Sequence, residues 1–278
     1  MRSSPHADPT RGVFETLLVH DGQPVEVDAH LERLAESVSA LFGVELPLDS
    51  GRAIAEGARK VRRGRLRLTV VPRAGRMETA ISIAELDAVE VFPPASRGVA
   101  LRSFIVEGGL GAHKWADRRL LDRFAASTGG ADVPLLVDAG GEVLEASRAN
   151  VFAIRDGAVC TPPADGRIVP GVARRRMLEL ARAAGRETHE ERLSLDDLLA
   201  AEEVFLTNSV RGVEPVRSID ARDTSDARGL FKRPRAGTSA GEAGAELASE
   251  LRRRWLGVPR GGSAAVAVGG RRDGPPER

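Results

Sequence analysis

The apolar positions of this chain fall into short strand-like runs separated by a few helix-like stretches. Val13-Phe14-Glu15-Thr16-Leu17-Leu18-Val19 is rich in β-formers; Asp21-Gly22 follows, then Pro24-Val25-Glu26-Val27. Two runs around an Asp-Gly pair predict a hairpin. Asp28 is placed to cap a helix in which Leu31, Leu34, Val38 and Leu41 recur at three- and four-residue steps, on one buried stripe, and Gly43 ends it. A second helix is expected over about 50–61, and strands over 66–71, 79–83 and 99–106.

The pattern restarts after Glu107-Gly108-Gly109-Leu110-Gly111. This stretch reads as a linker, because it lacks the G-x-G-x-x-G spacing of a dinucleotide fingerprint. A helix from about 114 to 127 would bury Leu120, Leu121 and Phe124, and strands are predicted at 133–137, 143–145, 151–154 and 158–160. Pro170-Gly171 opens a helix through Ala184 that Gly185 stops, and Ser194-x-x-Asp197 has the spacing of a capping box. Val204-Phe205-Leu206-Thr207 is a strand ending in Asn208-Ser209. Beyond Asp220 the chain turns polar and basic. Leu247, Leu251 and Trp255 share one face of a short helix at 243–256, and the Gly/Pro/Arg-rich remainder reads as disordered. The expected fold class is α/β (α+β) in two domains. A small α/β domain with an antiparallel sheet spans 1–106, a linker 107–112, a larger mixed β-rich domain 113–221, and a basic tail 222–278.

Composition narrows the chemistry. A net charge of +1 argues against a general nucleic-acid binder. The single cysteine, Cys160, excludes an intrachain disulfide, and the five histidines show no metal-ligand spacing, so no metal is expected. No segment approaches the roughly 20 apolar residues that span a bilayer. Met1-Arg2-Ser3-Ser4-Pro5 lacks the apolar stretch of a secretory signal, which points to a soluble, cytoplasmic protein. With no tyrosine, tyrosine-based acid/base chemistry is excluded.

Lysine is the informative residue: the chain has only Lys60, Lys114 and Lys232, against 38 arginines. A guanidinium is a poor nucleophile and forms no Schiff base, whereas a lysine amine of lowered pKa does both. Lys60 and Lys232 read as solvated charges; Lys114 follows a glycine-rich approach in mid-chain and is the candidate catalytic amine. Three other features join it. Glu145 stands at a strand end, Arg33 on the first helix, and Pro170-Gly171-Val172-Ala173-Arg174 begins a helix whose free N–H groups attract phosphate. Thr207-Asn208-Ser209 adds hydroxyl and amide donors. An imine-forming lysine, a carboxylate for a pyridine nitrogen and donors for a phosphate are what pyridoxal 5′-phosphate requires.

The order of these parts resembles the fold-type IV pyridoxal phosphate enzymes, the class IV aminotransferase family, over about residues 11–219. The resemblance rests on seven blocks. They are Gly12-Val13-Phe14-Glu15-Thr16, His30 through Leu34, His113 through Arg118, Glu145 through Phe152, Thr161-Pro162-Pro163, Pro170 through Arg174, and Ala201 through Ser209. It implies that Lys114 carries the cofactor and that Glu145 meets the pyridine nitrogen. Arg33, Asn150, Gly171, Val172, Ala173, Thr207, Asn208 and Ser209 would complete the cofactor site. It also implies a homodimer with a site between the two domains. Members usually have a longer β segment and a tyrosine-containing loop before the Phe-Glu-Thr block; both are missing here. The His-Lys-Trp-Ala-Asp-Arg wording is most similar to aminodeoxychorismate lyases, including lyase domains fused to the chorismate-aminating synthase, which makes that synthase a candidate partner.

The expected reaction is release of pyruvate from 4-amino-4-deoxychorismate, leaving 4-aminobenzoate for folate synthesis. Lys114 would move the proton, with Thr16 as a helper. Arg73, Arg148 and Arg211 are candidates for the substrate carboxylates. The alternatives are an aminotransferase acting on branched-chain or D-amino acids, which shares the cofactor residues, and a non-catalytic protein that kept the scaffold.

Overall fold

Two sheets carry the chain. The computed structural model describes residues 6–130, 132–220, 231–232 and 242–257. The expectation of a disordered tail falls largely on residues 221–230, 233–241 and 258–278, outside the described ones.

The first sheet is formed by β1 (Val13–His20) and β2 (Gln23–Pro24), followed after helices α1 (Val27–Phe42) and α2 (Ser50–Ala58) by β3 (Arg63–Arg73) and β4 (Arg76–Glu85). Its order is β2-β1-β3-β4, antiparallel throughout. Alternate residues of a strand point to one face. Val13, Leu17 and Val19 of β1 and Leu66, Leu68 and Val70 of β3 thus pack on Leu34 and Val38 of α1 and Ile54 and Ala58 of α2. Glu15 shares that alternation, so a carboxylate is carried into the core, 1% exposed.

The second sheet takes β5 (Val99–Ile105) and, after α3 (Arg119–Ser127), the strands β6 (Asp132–Val137), β7 (Glu142–Ala146), β8 (Asn150–Arg155) and β9 (Ala158–Thr161). Helix α4 (Val172–Ala183) leads to β10 (Thr188–Glu190), β11 (Leu193–Ser194), α5 (Leu195–Ala200), β12 (Glu203–Asn208), β13 (Gly212–Asp220), β14 (Phe231–Lys232) and α6 (Glu242–Leu256). The order is β10-β9-β8-β12-β13-β5-β6-β7-β11, with β14 paired to β13. Pairings of β5 with β6 and β13, and of β9 with β10, are parallel; the others are antiparallel. Met177 and Leu178 of α4 and Leu247, Leu251 and Trp255 of α6 pack with Phe152 and Phe205 of the sheet. Among the described residues no helix is long and apolar enough to cross a membrane.

Several expectations need correction. The strand expected over 99–106 and assigned to the small domain pairs with β6 and β13, so it belongs to the second sheet. The second segment of the hairpin is a strand only at Gln23–Pro24. Asp28 does not cap α1. The helix starts at Val27, behind Glu26 in the left-handed region (φ 55°), and the Glu26 carboxylate accepts from Arg176 Nε and Nη2 at 2.9 and 2.8 Å. The second helix stops at Ala58, and α3 begins at Arg119 rather than 114. The latter shift matters. Phe14 N–H donates to the Lys114 carbonyl (2.9 Å) and Ala116 N–H to the Gly12 carbonyl (3.0 Å). Lys114 therefore lies in extended backbone zipped to β1, with Trp115 buried in the core of the first sheet. Strands β10, β11 and β13 are additions to the sequence reading, whereas the Ser194–Asp197 capping box forms reciprocally.

Candidate active site

The strand ends of the second sheet, the start of α4, Arg33 of α1 and the segment around Lys114 enclose a cavity. Lys114, Glu145, Asn150, Gly171, Val172, Ala173, Thr207, Asn208, Ser209 and Arg33 all line it. The pairing of residues 114–116 with β1 delivers Lys114 to it. Trp115 anchors the segment, donating its indole N–H to the Leu110 carbonyl at 2.9 Å.

The Lys114 amine stands 5.0 Å from the centroid of the Phe14 ring. Burial, reinforced by the charge of Arg33, lowers its pKa to about 8. Near neutral pH a useful fraction is then the free amine, the form that attacks a carbonyl or takes a proton. Glu145 carries the opposite shift. Burial raises its carboxyl to about 8 against the opposing pull of Lys114 and of a hydrogen bond from Val169 N–H. Such a carboxyl is poised to ionise when a cationic nitrogen arrives beside it.

The other end of the cavity is built for an anion. Helix α4 starts at Gly171 with no side chain capping it, so its first N–H groups are left for a ligand. Asn150 donates from Nδ2 to the Val169 carbonyl (2.9 Å) and lies so close to Gly171 that a Cβ there would come within 2.0 Å of its Oδ1. Residue 171 is therefore glycine for want of space. The Thr207 hydroxyl is buried and has no hydrogen-bond partner among the described residues, an arrangement that costs free energy unless something else accepts from or donates to it.

Arg33 reaches this end from α1. Its Nε and Nη2 donate to the two oxygens of Glu15 at 2.8 and 2.7 Å, and its Nη1 donates to the Pro170 carbonyl at 2.8 Å. His30 donates from Nδ1 to Glu15 at 2.7 Å. Burial alone would raise the Glu15 pKa, but the Arg33 charge and the His30 bond outweigh it and hold the carboxyl well below the usual range. Three of the five guanidinium N–H groups are thus used in holding Arg33 still, and two are left over.

The remaining sequence candidates lie elsewhere or are occupied. Thr16 and Arg211 do not line the cavity, nor does Arg73, which ends β3 beside the exposed hairpin turn. Arg148 does line it, but its Nη2 pairs with the buried carboxylate of Glu214 at 3.1 Å. The same Glu214 has Arg211 at 3.8 Å and accepts from Asn208 at 2.9 Å. The residues that sequence reasoning passed over are Glu15 and His30, which fix Arg33, and two arginines near Lys114. Arg118 lines the cavity, and Arg67, opposite Thr16 in the β1–β3 register, lies with its guanidinium carbon 4.2 Å from the Phe14 ring centroid.

Residues 12–219 match the amino-transferase class IV family, and the chain belongs to it. It is 28% identical over 232 residues to a Methanocaldococcus jannaschii protein provisionally described as a branched-chain-amino-acid aminotransferase. That match spans 76% of this chain and 79% of the relative. A hypothetical aminotransferase from Mycobacterium tuberculosis, solved with PLP bound, superposes with a TM-score of 0.74 at 23% identity, over 89% of this chain and 90% of that one. A Legionella pneumophila protein, provisionally described as a 4-amino-4-deoxychorismate lyase, superposes with a TM-score of 0.72 at 22% identity, over 88% and 91% of the two chains. Fold-type IV members of this family are pyridoxal phosphate enzymes. The residues here fit that group: an amine of lowered pKa, a buried carboxyl across from it, an uncapped helix start behind an obligatory glycine, and an unsatisfied threonine hydroxyl.

Proposed function

We propose that this protein is a pyridoxal phosphate-dependent lyase that converts 4-amino-4-deoxychorismate to 4-aminobenzoate and pyruvate. The observation that carries its catalytic core is the placing of the Lys114 amine and the Glu145 carboxyl in one cavity, with pKa values brought together near 8. Arg33, the N–H groups of Val172 and Ala173, and Thr207-Asn208-Ser209 would hold the cofactor phosphate, and Glu145 its pyridine nitrogen. Asn150 keeps the Val169–Gly171 segment in place. When bound, the cofactor supplies an electron sink beside the amine-bearing carbon. The Lys114 amine, close to its pKa, can take the proton from that carbon and return one to the departing enolpyruvyl group. Loss of pyruvate leaves an aromatic ring, which favours elimination.

The lyase reading is supported by the His113-Lys114-Trp115-Ala116-Asp117-Arg118 segment and by the lack of any tyrosine in the chain. A branched-chain aminotransferase is the second reading, favoured by the M. jannaschii relative. The proposal extends to a cytoplasmic homodimer, with the chorismate-aminating synthase as a partner in supply of substrate.

The test is release of 4-aminobenzoate and pyruvate from 4-amino-4-deoxychorismate by cofactor-loaded protein, with Lys114→Ala as control. Equal amounts of both products, absent in the variant, are expected. A loaded protein that yields neither, but exchanges amino groups between branched-chain amino acids and a keto acid, is an aminotransferase.

A further inference from the structure

Of four arginines at or beside the cavity, two are met by a carboxylate: Arg33 by Glu15 and Arg148 by Glu214. Two are not. Arg118 lines the cavity, is largely enclosed, and donates from Nη2 to the Ser147 carbonyl at 2.6 Å, yet has no carboxylate within 4.0 Å among the described residues. Asp122 and Glu145 are close enough to be felt at Arg118, as is the like charge of Arg67, but neither acid pairs with it. Arg67 is not among the residues that line the cavity but stands beside it, half-buried over Phe14, the ring that also faces the Lys114 amine, and it too has no ion pair among the described residues. A guanidinium withdrawn from water without an anion is disfavoured, and the usual resolution is an anion that arrives with a ligand.

The cofactor phosphate does not need these two, since Arg33, the start of α4 and Thr207 are available to it. The guanidiniums come from separate parts of the chain. Arg67 stands on β3 of the first sheet and Arg118 just ahead of α3, on the segment that carries Lys114. We infer that Arg67 and Arg118 each bind one carboxylate of the substrate, so that the site selects an amine bearing two carboxylates. This rests on the proposed function and deepens it by naming the residues that read the substrate. It also replaces Arg73, Arg148 and Arg211 in that role.

Calorimetric titration tests the inference without turnover. Cofactor-loaded protein is titrated with glutarate, a dicarboxylate lacking an amine, and with butyrate, its monocarboxylate counterpart. The same titrations follow for Arg67→Gln, Arg118→Gln, the charge-keeping Arg118→Lys, and Arg62→Gln as a control for net charge. Glutarate should bind at least tenfold more tightly than butyrate. Each Gln substitution should weaken glutarate by on the order of tenfold to a hundredfold, while butyrate responds to only one of the two. Arg118→Lys should recover part of the loss, and Arg62→Gln should change nothing. Equal affinities for glutarate and butyrate, or glutarate binding indifferent to both substitutions, would overturn the inference. So would an Arg118→Gln protein that loses its cofactor absorbance yet binds glutarate normally, because Arg118 would then serve the cofactor. The visible absorbance of the bound cofactor, recorded before any titration, reports separately on the proposed function. If it is absent in the parent protein, the proposed function fails, and the glutarate–butyrate difference measured on the cofactor-free protein still decides the role of the arginines.

Discussion

The Glu15 carboxylate takes two parallel hydrogen bonds from Arg33, 2.8 and 2.7 Å long, with both side chains inside the protein. A fork of this kind fixes the plane of the guanidinium as well as its position. Its spare N–H groups are thereby aimed before any ligand arrives.

Removing one partner of such a buried pair strands the other. Glu15→Ala should destabilise the protein by about 3–5 kcal/mol and weaken cofactor binding, as read by denaturant titration and by cofactor dissociation. The pair also sets a pH dependence. The Glu15 pKa is lower in the folded state than in the unfolded chain, so its contribution is complete above the ordinary carboxylate range and disappears as pH falls toward the folded value. Below about pH 4 the parent should therefore lose its advantage over Glu15→Gln. An advantage that does not shrink on acidification would sink this account.

Glu145 should behave in the opposite way. Its folded pKa of about 8 lies above the unfolded value, so the cofactor-free protein bears a growing cost as pH rises from the carboxylate range to about 8 and a constant one above it. Glu145→Gln, free of that cost, should be the more stable protein by on the order of 2 kcal/mol at pH 8, and nearly catalytically inert. Thermal unfolding across pH 5–8 is the check, and curves that stay parallel would count against the burial argument.

The Lys114 amine, with a pKa of about 8, should make cofactor uptake pH-dependent. Uptake by cofactor-free protein requires the neutral amine, so its rate should rise about tenfold per pH unit below 8 and level off above. Stopped-flow absorbance would show this; a plateau reached only near pH 10 would mean the amine is unperturbed.

Thr207→Val separates a structural from a binding role. The hydroxyl has no partner among the described residues, so its loss should leave the cofactor-free protein at least as stable. Cofactor affinity should nonetheless fall by about tenfold. A variant that binds cofactor as the parent does would remove Thr207 from the phosphate site.

Gly171→Ala would push a methyl group into Asn150. It should cost about 1–3 kcal/mol and disturb the start of α4, lowering affinity for inorganic phosphate in the cofactor-free protein. Unchanged phosphate affinity would show that Asn150 yields harmlessly.

What the sequence reveals of this site follows the range over which each cause acts. The start of α4 is legible because Pro170-Gly171 is local punctuation, and Lys114 stands out because lysine is so scarce. The backbone around Lys114 is not legible. Its extended form comes from pairing with β1, about a hundred residues earlier, and helix-like spacing at Leu120, Leu121 and Phe124 conceals it. Glu15 and Arg67 sit in strands where a charged residue reads as solvent-facing; only the arrival of α1 and of the Lys114 segment puts them to use. Strand β13 escapes because Gly212-Val213-Glu214-Pro215-Val216-Arg217 has an interior proline and charges. Nothing local in the sequence shows that Arg148 and Arg211 share the buried Glu214.

The third bond of Arg33, to the Pro170 carbonyl, joins α1 to the residue just ahead of Gly171, and Arg176 repeats the tie to Glu26. The first sheet cannot pull away from the second without breaking these ties to α4 and the residue ahead of it. Heating should therefore melt both sheets in a single transition, and a ligand seated on that helix start should raise the melting point of the whole protein, including strands it never touches.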